Sequence, residues 1–292
     1  MSNVVTMASE QKWLVTADEV LQSNVTRALE STGRRSRSLQ NLLHGTWLGH
    51  PLHPMLVALP IGAWSVGLML DVLAVVGGRR KLAHGADTAI AIGLVSVVPT
   101  AAAGLLDWQH VQGRPRRMGA LHAVLNIGAS TLFATSLLAR AARARGLGMF
   151  LASAGYGAVM ASGYLGGELV FRERIGTDHA QRPEASDTFT QVLSEWDLAE
   201  GQARRVEVEG TPVLVARVGS RVCAIGEVCS HLGGPLAEGE IADGDVTCPW
   251  HGSRFDLTDG HVVDGPATFS QPRYEVRVQN GQVELRPLAE AA

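Results

Sequence analysis

The sequence is poor in cysteine. Only Cys223, Cys229 and Cys248 occur among the 292 residues, and two of them stand in a pair of motifs that suit metal binding. At most one thiol is therefore spare, and no internal disulfide remains to be formed. This usage fits a reducing compartment and gives no reason to expect an oxidising one.

Lysine is absent from the second part of the chain. From residue 183 onward there are 18 Asp and Glu residues but only eight Arg, a net charge of −10. Because the whole chain carries −3, the first 182 residues carry +7. An acidic part joined to a basic, apolar part indicates two bodies in different surroundings, within a length that suits two domains. We expect no nucleic-acid partner.

An apolar leader is also missing from the first 30 residues, so the sequence predicts no cleavable signal peptide. The pair Arg34-Arg35 resembles a twin-arginine export signal, but the apolar run that should follow begins too late. The stretch 16–30 predicts a surface helix with a capping box at Thr16 and Glu19. That helix could lie on a membrane or pack on the domain.

Charge is nearly absent from four long apolar runs, which are interrupted only by Asp71, His122 and Glu168. Each run has about 19 to 26 residues, enough to cross a hydrocarbon core of ~30 Å at 1.5 Å per residue. Gly163 and Gly167 form a G-x-x-x-G pattern typical of close helix packing in lipid. The sequence therefore predicts a bundle of four transmembrane helices, at 55–76, 88–106, 118–139 and 146–171.

An even number of crossings leaves both termini on one side of the membrane. The distribution of Arg and Lys among the loops leans towards cytoplasmic termini. A domain that folds around a metal centre is also hard to thread through a translocon. We expect a multi-pass protein of a bacterial-type inner membrane, with its C-terminal domain in the cytoplasm; an oligomer is an open alternative.

The pattern changes to period two after a polar linker. Alternation at 206–209 and hairpin signals around Gly219-Ser220 and Asn280-Gly281 predict short antiparallel strands. We therefore expect a small all-β domain. The predicted division is a polar region with a surface helix at 1–45, the transmembrane domain at 46–175, a flexible linker at 176–188 and the β domain at 189–292.

Two short motifs in the β domain each offer one thiol and one imidazole. Cys229 and His231 form C-x-H, and Cys248 and His251 form C-x-x-H sixteen residues later. Common zinc sites pair like ligands in C-x-x-C and H-x-(3–5)-H. Mixed pairs suit a two-iron cluster in which one iron takes both cysteines and the other both histidines. A zinc site of irregular spacing is the alternative.

These motifs, with Leu232-Gly233-Gly234-Pro235-Leu236 and Gly252-Ser253-Arg254-Phe255-Asp256 after them, resemble the Rieske family over about 189–288. The resemblance implies a [2Fe–2S] cluster held by Cys229, His231, Cys248 and His251. It also implies that Gly233 and Gly252 turn backbone N–H groups towards the sulfurs, and that Ser253 supports the cluster from the second sphere. Cys223 is expected to be a buried structural thiol.

The resemblance also bears on the reduction potential. Respiratory members carry an extra disulfide-bonded cysteine in each loop, and a Tyr two residues after the Ser of the second loop. Here glycines and Trp250 stand in the loops, and Phe255 replaces that Tyr. Fewer hydrogen bonds to the sulfurs stabilise the reduced state less. We expect a potential low in the Rieske range of about −150 to +300 mV, as in Rieske ferredoxins.

Several polar residues near the ends of the apolar runs are predicted to share one membrane face. They could ligate haem b, with His53 and His122 as axial ligands, or bind another metal or a quinone, or be interfacial residues of structural use only. The candidates are His50, His53, Asp107, His110, His122 and Glu168.

The stretch Leu48-Gly49-His50-Pro51-Leu52-His53-Pro54 resembles an uncharacterised bacterial four-helix membrane family often fused to Rieske domains, over about 40–175. This resemblance implies the architecture and no activity. We expect an electron carrier rather than a stand-alone oxidoreductase, relaying single electrons between a soluble redox partner and a membrane centre. The alternative is a redox sensor or accessory subunit whose membrane domain only anchors the cluster.

Overall fold

The computed structural model describes residues 12–30, 34–78 and 80–289. The chain forms two compact units that are interleaved in sequence. The helical unit comprises Met1–Gly33 and Leu52–Ile175, and the β unit comprises Arg34–Pro51 and Gly176–Ala292. The sequence predicts 34–45 as part of a separate N-terminal region and 46–51 as part of the transmembrane domain. In the structure, the segments 34–45 and 46–51 both group with the C-terminal domain.

Six helices of the helical unit lie within the described residues. They are α1 (Lys12–Glu30), α3 (Leu52–Leu56), α4 (Ala58–Val76), α5 (Arg80–Trp108), α6 (Gly113–Ala141) and α7 (Arg145–Phe171), and the short α3 leads directly into α4. The β unit begins with α2 (Arg34–His44) and a 3-10 turn at Thr46–Leu48. Helix α5 continues through Pro99 without a break.

Three of these segments are long and apolar enough to cross a membrane: Leu52–Val76, Lys81–Trp108 and Gly113–Ala141. Helix α7 has 27 residues but falls outside that group, because glycine, serine and tyrosine dilute its apolar content. Three of the four predicted crossings thus coincide with candidate membrane spans, and the fourth stays a prediction.

The core of the helical unit is built by α4, α5, α6 and α7. The rings of Trp64 and Phe133 stack with their centroids 4.2 Å apart. Helix α7 approaches α6 through Gly148 and Gly155, where a Cβ would meet backbone or ring atoms of α6. At Gly163 a Cβ would meet nothing, so the G-x-x-x-G predicted to pack this helix does not do so here.

A cluster of four charged side chains joins all four long helices. Arg140 of α6 is almost fully buried and donates from Nη1 to Oδ1 of Asp71 and to Oδ1 of Asp87, both at 2.9 Å. Arg145 of α7 donates to Oδ1 of Asp71 at 2.9 Å and to Oδ1 of Asp87 at 3.1 Å. Two positive and two negative charges therefore neutralise one another where α4, α5, α6 and α7 meet.

The helix predicted at 16–30 could either lie on a membrane or pack on the domain. Helix α1 packs on the helical unit, which favours the second interpretation. Leu14 is fully buried in a cluster with Trp108. Asp18, also buried, accepts two hydrogen bonds from the guanidinium of Arg116. The helix begins at Lys12, so Thr16 lies inside it, and the predicted capping box was wrong.

The β unit contains three antiparallel sheets, with strand orders β1-β10-β9, β2-β3-β4 and β5-β6-β7-β8. Within the described residues their strands are β1 (Thr190–Ser194), β2 (Ala203–Val208), β3 (Thr211–Val218), β4 (Arg221–Gly226), β5 (Glu240–Ala242), β6 (Asp245–Thr247), β7 (Arg254–Asp256), β8 (Val262–Asp264), β9 (Tyr274–Gln279) and β10 (Gln282–Pro287). The all-β prediction is confirmed.

Both predicted hairpins are confirmed. Strands β3 and β4 pair around Gly219-Ser220, and β9 and β10 pair around Asn280-Gly281. Asn280 and Gly281 have φ values of 54° and 75°, the left-handed pair that a two-residue hairpin turn requires. The first hairpin fixes the register of β4, after which the loop with Cys229 and His231 follows.

The segment Arg34–Pro51 is attached to the β unit by the amide of Asn41. Its Nδ2 donates to Oδ1 of Asp264 at 2.9 Å, and its Oδ1 accepts from the backbone N of Gly265 at 2.9 Å. His44 and Thr46 pack against the same glycine. A stretch that precedes all the long helices thus completes the C-terminal domain.

Candidate metal centre

Two loops of the β unit carry the four predicted ligands. Cys229 and His231 follow β4, in the loop that leads to β5. Cys248 and His251 lie between β6 and β7. Antiparallel pairing of β6 with β7 holds the ends of the second loop together.

The two loops have the same backbone turn, despite their different spacings. In the first, the N of Cys229 donates to the O of Gly234 and the N of Gly233 donates to the O of Cys229, both at 2.9 Å. In the second, Cys248 N donates to Ser253 O at 2.8 Å and Gly252 N donates to Cys248 O at 3.0 Å.

The glycine four residues after each cysteine permits this turn. Gly233 has a φ of 80° and Gly252 a φ of 77°, in the left-handed region that disfavours residues with a Cβ. Both glycines therefore adopt a backbone conformation that this turn requires, and their predicted role towards cluster sulfurs stays a prediction.

Both thiols are buried and lie beside each other. Cys229 is hydrogen-bonded to Cys248, and each sulfur also accepts two backbone N–H groups from its own loop: those of His231 and Leu232, and those of Trp250 and His251. The hydrogen bond from Cys229 lowers the pKa of Cys248 to about 6, with help from its two N–H donors, although burial opposes the shift. The same pairing raises the pKa of Cys229.

The two imidazoles complete the group. The ring centroids of His231 and His251 are 5.0 Å apart and their planes are nearly perpendicular. Both side chains are half-buried. Burial lowers the pKa of His251, which favours the neutral imidazole that binds metals. Two thiols and two imidazoles thus converge from neighbouring loops.

The space between the loops fits a bound inorganic group. A Cβ at Gly234 would lie 2.8 Å from the sulfur of Cys248 and 3.1 Å from ring atoms of Trp250, so only glycine leaves the sulfur accessible. N–H groups directed at both sulfurs would stabilise thiolates, the form in which cysteine binds metal. The donor set accordingly fits a [2Fe–2S] cluster with two cysteine and two histidine ligands.

Residues 267–271 form hydrogen bonds with residues of both ligand loops. The hydroxyl of Ser253 accepts from the N of Ala267 at 3.0 Å, and the hydroxyl of Ser230 donates to the O of Phe269 at 2.6 Å. The buried amide of Gln271 accepts from Ser230 N at 2.8 Å and donates to Val228 O at 3.2 Å. Sequence reasoning singled out Ser253 but missed Gln271, because nothing in the spacing connects residues about 40 positions apart.

The predicted flexible linker is attached to the β unit. His179 N donates to Ser230 O at 3.0 Å, between the two ligands of the first loop. Arg182 donates to Ser270 O at 2.9 Å, and Ser186 N donates to Pro287 O at 3.3 Å. The polar composition of this stretch suggested a free chain, whereas backbone hydrogen bonds hold it along the domain.

The six candidates for a membrane site are distributed over both units. His50 belongs to the β unit, where its ring lies edge-on to Phe269 with the centroids 6.1 Å apart. Glu168 accepts from Tyr164 and Arg172 of its own helix, each at 3.4 Å, as an ordinary surface residue does. Asp107 and His110 stand at the end of α5 and just after it. The shared membrane site stays a prediction.

His53 and His122 are each fixed by a carbonyl of another helix. Nδ1 of His53 lies 2.9 Å from Thr100 O, and Nδ1 of His122 lies 2.9 Å from Ser162 O. Their rings lie against Gly104 and Gly166, respectively. Nε2 of His122 accepts from the amide of Asn126 at 3.0 Å. A carbonyl on one ring nitrogen is the usual second-sphere arrangement of a metal-ligating histidine.

Two family models match the chain. Residues 49–179 match "Predicted membrane protein (DUF2231)", and residues 188–275 match the Rieske [2Fe-2S] domain. The sequence is 32% identical to Apoptosis-inducing factor 3 of Homo sapiens over 119 residues, which are 41% of this chain and 20% of that protein. The chain thus spans only about a fifth of that relative.

Shorter relatives are covered almost completely. The sequence is 37% identical to Ferredoxin CarAc of Metapseudomonas resinovorans over 97 residues, 32% of this chain and 90% of that protein. Among solved structures, the ferredoxin of carbazole 1,9a-dioxygenase from Nocardioides aromaticivorans IC177 is 29% identical, with a TM-score of 0.34, over 35% of this chain and all of that one.

Proposed function

Because the chain belongs to the Rieske [2Fe–2S] family, we propose that it is a membrane-anchored carrier of single electrons. Its [2Fe–2S] cluster would be held by Cys229 and Cys248 on one iron and by His231 and His251 on the other. The observation that carries this proposal is the convergence of two adjacent thiols and two imidazoles from loops with the same turn.

When bound, such a cluster supplies a one-electron redox couple. The residues around it bind the irons, direct four N–H groups at the two cysteine sulfurs and exclude water from them. Apolar side chains of Leu236, Val246 and Phe255 pack around the cysteines. The half-buried rings of His231 and His251 form the part of the site that a partner can reach.

Metal analysis with optical and EPR spectra of the purified full-length protein tests the proposal. We expect iron and acid-labile sulfide at about two each per chain, and the EPR signal of a reduced Rieske cluster. Cys248→Ser should abolish that signal. Cys223→Ser, which changes a thiol of β4 outside both loops, should retain it. A colourless protein that contains one zinc ion would contradict the proposal.

The helical unit would cross the membrane four times. Arg34–Pro51 and Gly176–Ala292 form one compact unit, so the two ends of the helical unit must emerge on the same side. An even number of crossings follows, and α7 is the helix that can supply the fourth beside the three candidate spans. The β unit would then be cytoplasmic, as the distribution of charged loop residues favours.

The membrane partner of the cluster would be bound near His53 and His122. Their carbonyl-bonded Nδ1 atoms support a ligating or proton-accepting role for Nε2. In His122 that atom accepts from Asn126, and a haem iron would have to displace this hydrogen bond. The arrangement therefore favours a quinol, whose hydroxyl donates a hydrogen bond to Nε2 of His53, over a haem b with two histidine ligands.

Optical spectra of purified membranes, together with quinol-dependent reduction of the cluster, separate the candidates. A quinone site predicts reduction by quinol that is slowed in His53→Ala and His122→Ala, with no haem absorption. A haem site predicts absorption that the same variants remove. If neither appears and both variants transfer electrons normally, the helical unit serves as an anchor, and the sensor or accessory function replaces the relay.

The soluble redox partner would be an oxidoreductase. CarAc is a ferredoxin, and other relatives are ferredoxin components of dioxygenase systems. We propose that a reductase or oxygenase of this kind contacts the edge formed by His231 and His251, where Trp250 is also exposed.

A further inference from the structure

Helix α2 and the 3-10 turn after it expose apolar side chains and bury polar ones. Asn41, His44 and Thr46 face the β unit around Gly265. Leu39, Leu42, Trp47 and Leu48 are on the outside, with 64% of Trp47 exposed. We call these four residues the apolar face of α2. An amphipathic helix on a water-soluble domain has the opposite arrangement.

The apolar face is held rigidly. Nε1 of Trp47 donates to the backbone O of Leu42 at 3.2 Å, which fixes the indole over the end of the helix. Asn41 fastens the helix to two consecutive residues of the β unit. An exposed indole beside three exposed leucines is a surface that water solvates poorly, and such patches mark contact with an apolar partner.

The sequence places this face next to a membrane. Leu48 precedes Leu52, the first residue of a candidate span, by four positions. Four residues reach at most about 14 Å, at ~3.5 Å per residue. Arg37, in the first turn of α2, is exposed, and a basic residue there favours contact with anionic headgroups. Trp is enriched at the level of the headgroups, where its ring is apolar and its N–H can bond.

We propose that the apolar face of α2 inserts into the interfacial layer of a phospholipid bilayer. Through Asn41 the inserted helix would hold the β unit against the membrane surface. The segment that forms hydrogen bonds with Ser253 and Ser230 begins only two residues after Gly265. The lipid contact would thus fix the orientation of the domain that carries the metal centre. It does not depend on which metal the centre binds.

Quenching of Trp47 fluorescence by brominated phospholipids tests this contact in the full-length protein reconstituted in vesicles. The emission lost in Trp47→Phe, relative to the native protein, isolates the signal of Trp47. We expect that difference spectrum to be blue-shifted and at least twofold weaker in brominated than in ordinary lipid, and insensitive to acrylamide in water. Leu42→Glu should shift it to longer wavelength and restore its intensity.

Trp196 is the matched control, because it is 87% exposed in the same unit but lies next to β1. The emission lost in Trp196→Phe should be quenched by acrylamide and not by brominated lipid. Quenching of Trp47 by acrylamide alone would show a face in water and overturn the proposal. Protection of Trp47 from both quenchers would show that protein covers the face, which also overturns it.

Discussion

Each cysteine ligand is positioned by the residues that follow it. The N–H of the cysteine bonds to the carbonyl five residues later, and a glycine at the fourth position takes the left-handed conformation. Two loops of different ligand spacing consequently present their sulfurs in the same way. The sequence could suggest the role of Gly233 and Gly252, but it gave no reason to separate Gly234 from them.

Replacement of Gly234 should act on the site directly. In Gly234→Ala the new methyl would lie 2.8 Å from the sulfur of Cys248, so we expect a large loss of bound iron. At Gly252 a Cβ would meet no atom within 4 Å, and Gly252→Ala should cost about 1–2 kcal/mol of backbone strain while the cluster is retained. Iron content and unfolding by denaturant distinguish the two. Equal iron loss in both variants would contradict this assignment.

Tyr274 should make the β unit less stable at alkaline pH. Burial raises its pKa to about 12, and the carboxylate of Glu209 adds to the shift. Because the unfolded chain releases this proton near pH 10, stabilisation is complete below pH 10 and is lost as the pH rises towards 12. Tyr274→Phe should remove a decrease on the order of 2 kcal/mol in the free energy of unfolding, measured by denaturant titrations between pH 9 and 12.

The same substitution should be harmless at neutral pH. The buried hydroxyl of Tyr274 has no hydrogen-bond partner among the described residues, so its removal should be neutral or stabilising by up to about 1 kcal/mol. Tyr164, which is largely exposed, provides the control. Tyr164→Phe should keep the alkaline decrease, and a decrease that persists in Tyr274→Phe would refute the assignment.

At the scale of elements, local patterns predicted the strands and helices better than their assembly. Alternation and turn residues located both hairpins, because those signals act within about ten residues. The placement of α2 on the β unit depends on the contact of Asn41 with Asp264, more than 200 positions away. The clustering of Arg140 with Asp71 and Asp87 depends likewise on how helices pack. No spacing rule reports such contacts, so the sequence analysis missed them.

Replacement of Asn41 tests how strongly its two hydrogen bonds attach α2 to the β unit. Asn41→Ala removes a donor to Asp264 and an acceptor for Gly265 N, and should lower the free energy of unfolding by about 1–3 kcal/mol. Hydrogen exchange should also become faster in 34–48. Ser38→Ala changes an exposed residue of the same helix and should do neither. Unchanged exchange in Asn41→Ala would show that other contacts hold α2.

The charged cluster of the helical unit should respond differently to single and paired changes. Asp71→Ala leaves the buried guanidinium of Arg140 with one carboxylate fewer. It should lower the free energy of unfolding by about 3–5 kcal/mol. The pair Asp71→Leu with Arg140→Leu removes one charge of each sign and should cost much less. Thermal unfolding in detergent gives the comparison, with Lys81→Ala as a control at an exposed position. A double variant as unstable as the single one would contradict charge pairing.

At the scale of the whole molecule, the interleaving of the two units constrains the topology. Both flanks of the helical unit belong to the β unit, so fusions of a periplasm-active reporter should be inactive after residue 289 and active in the α6–α7 connection at Ala142. Equal activity of the two fusions would remove α7 from the membrane-crossing helices, and activity only after residue 289 would place the β unit on the periplasmic side.

The attachment of α2 to the β unit also has a consequence for biosynthesis. Residues 34–51 leave the ribosome long before 176–289, and all the long helices α4–α7 are synthesised between them. The domain therefore lacks one of its own pieces if it is expressed from residue 176 alone. The metal centre would accordingly mature late, only after residues 176–289 have been synthesised and have packed against the earlier segment 34–51.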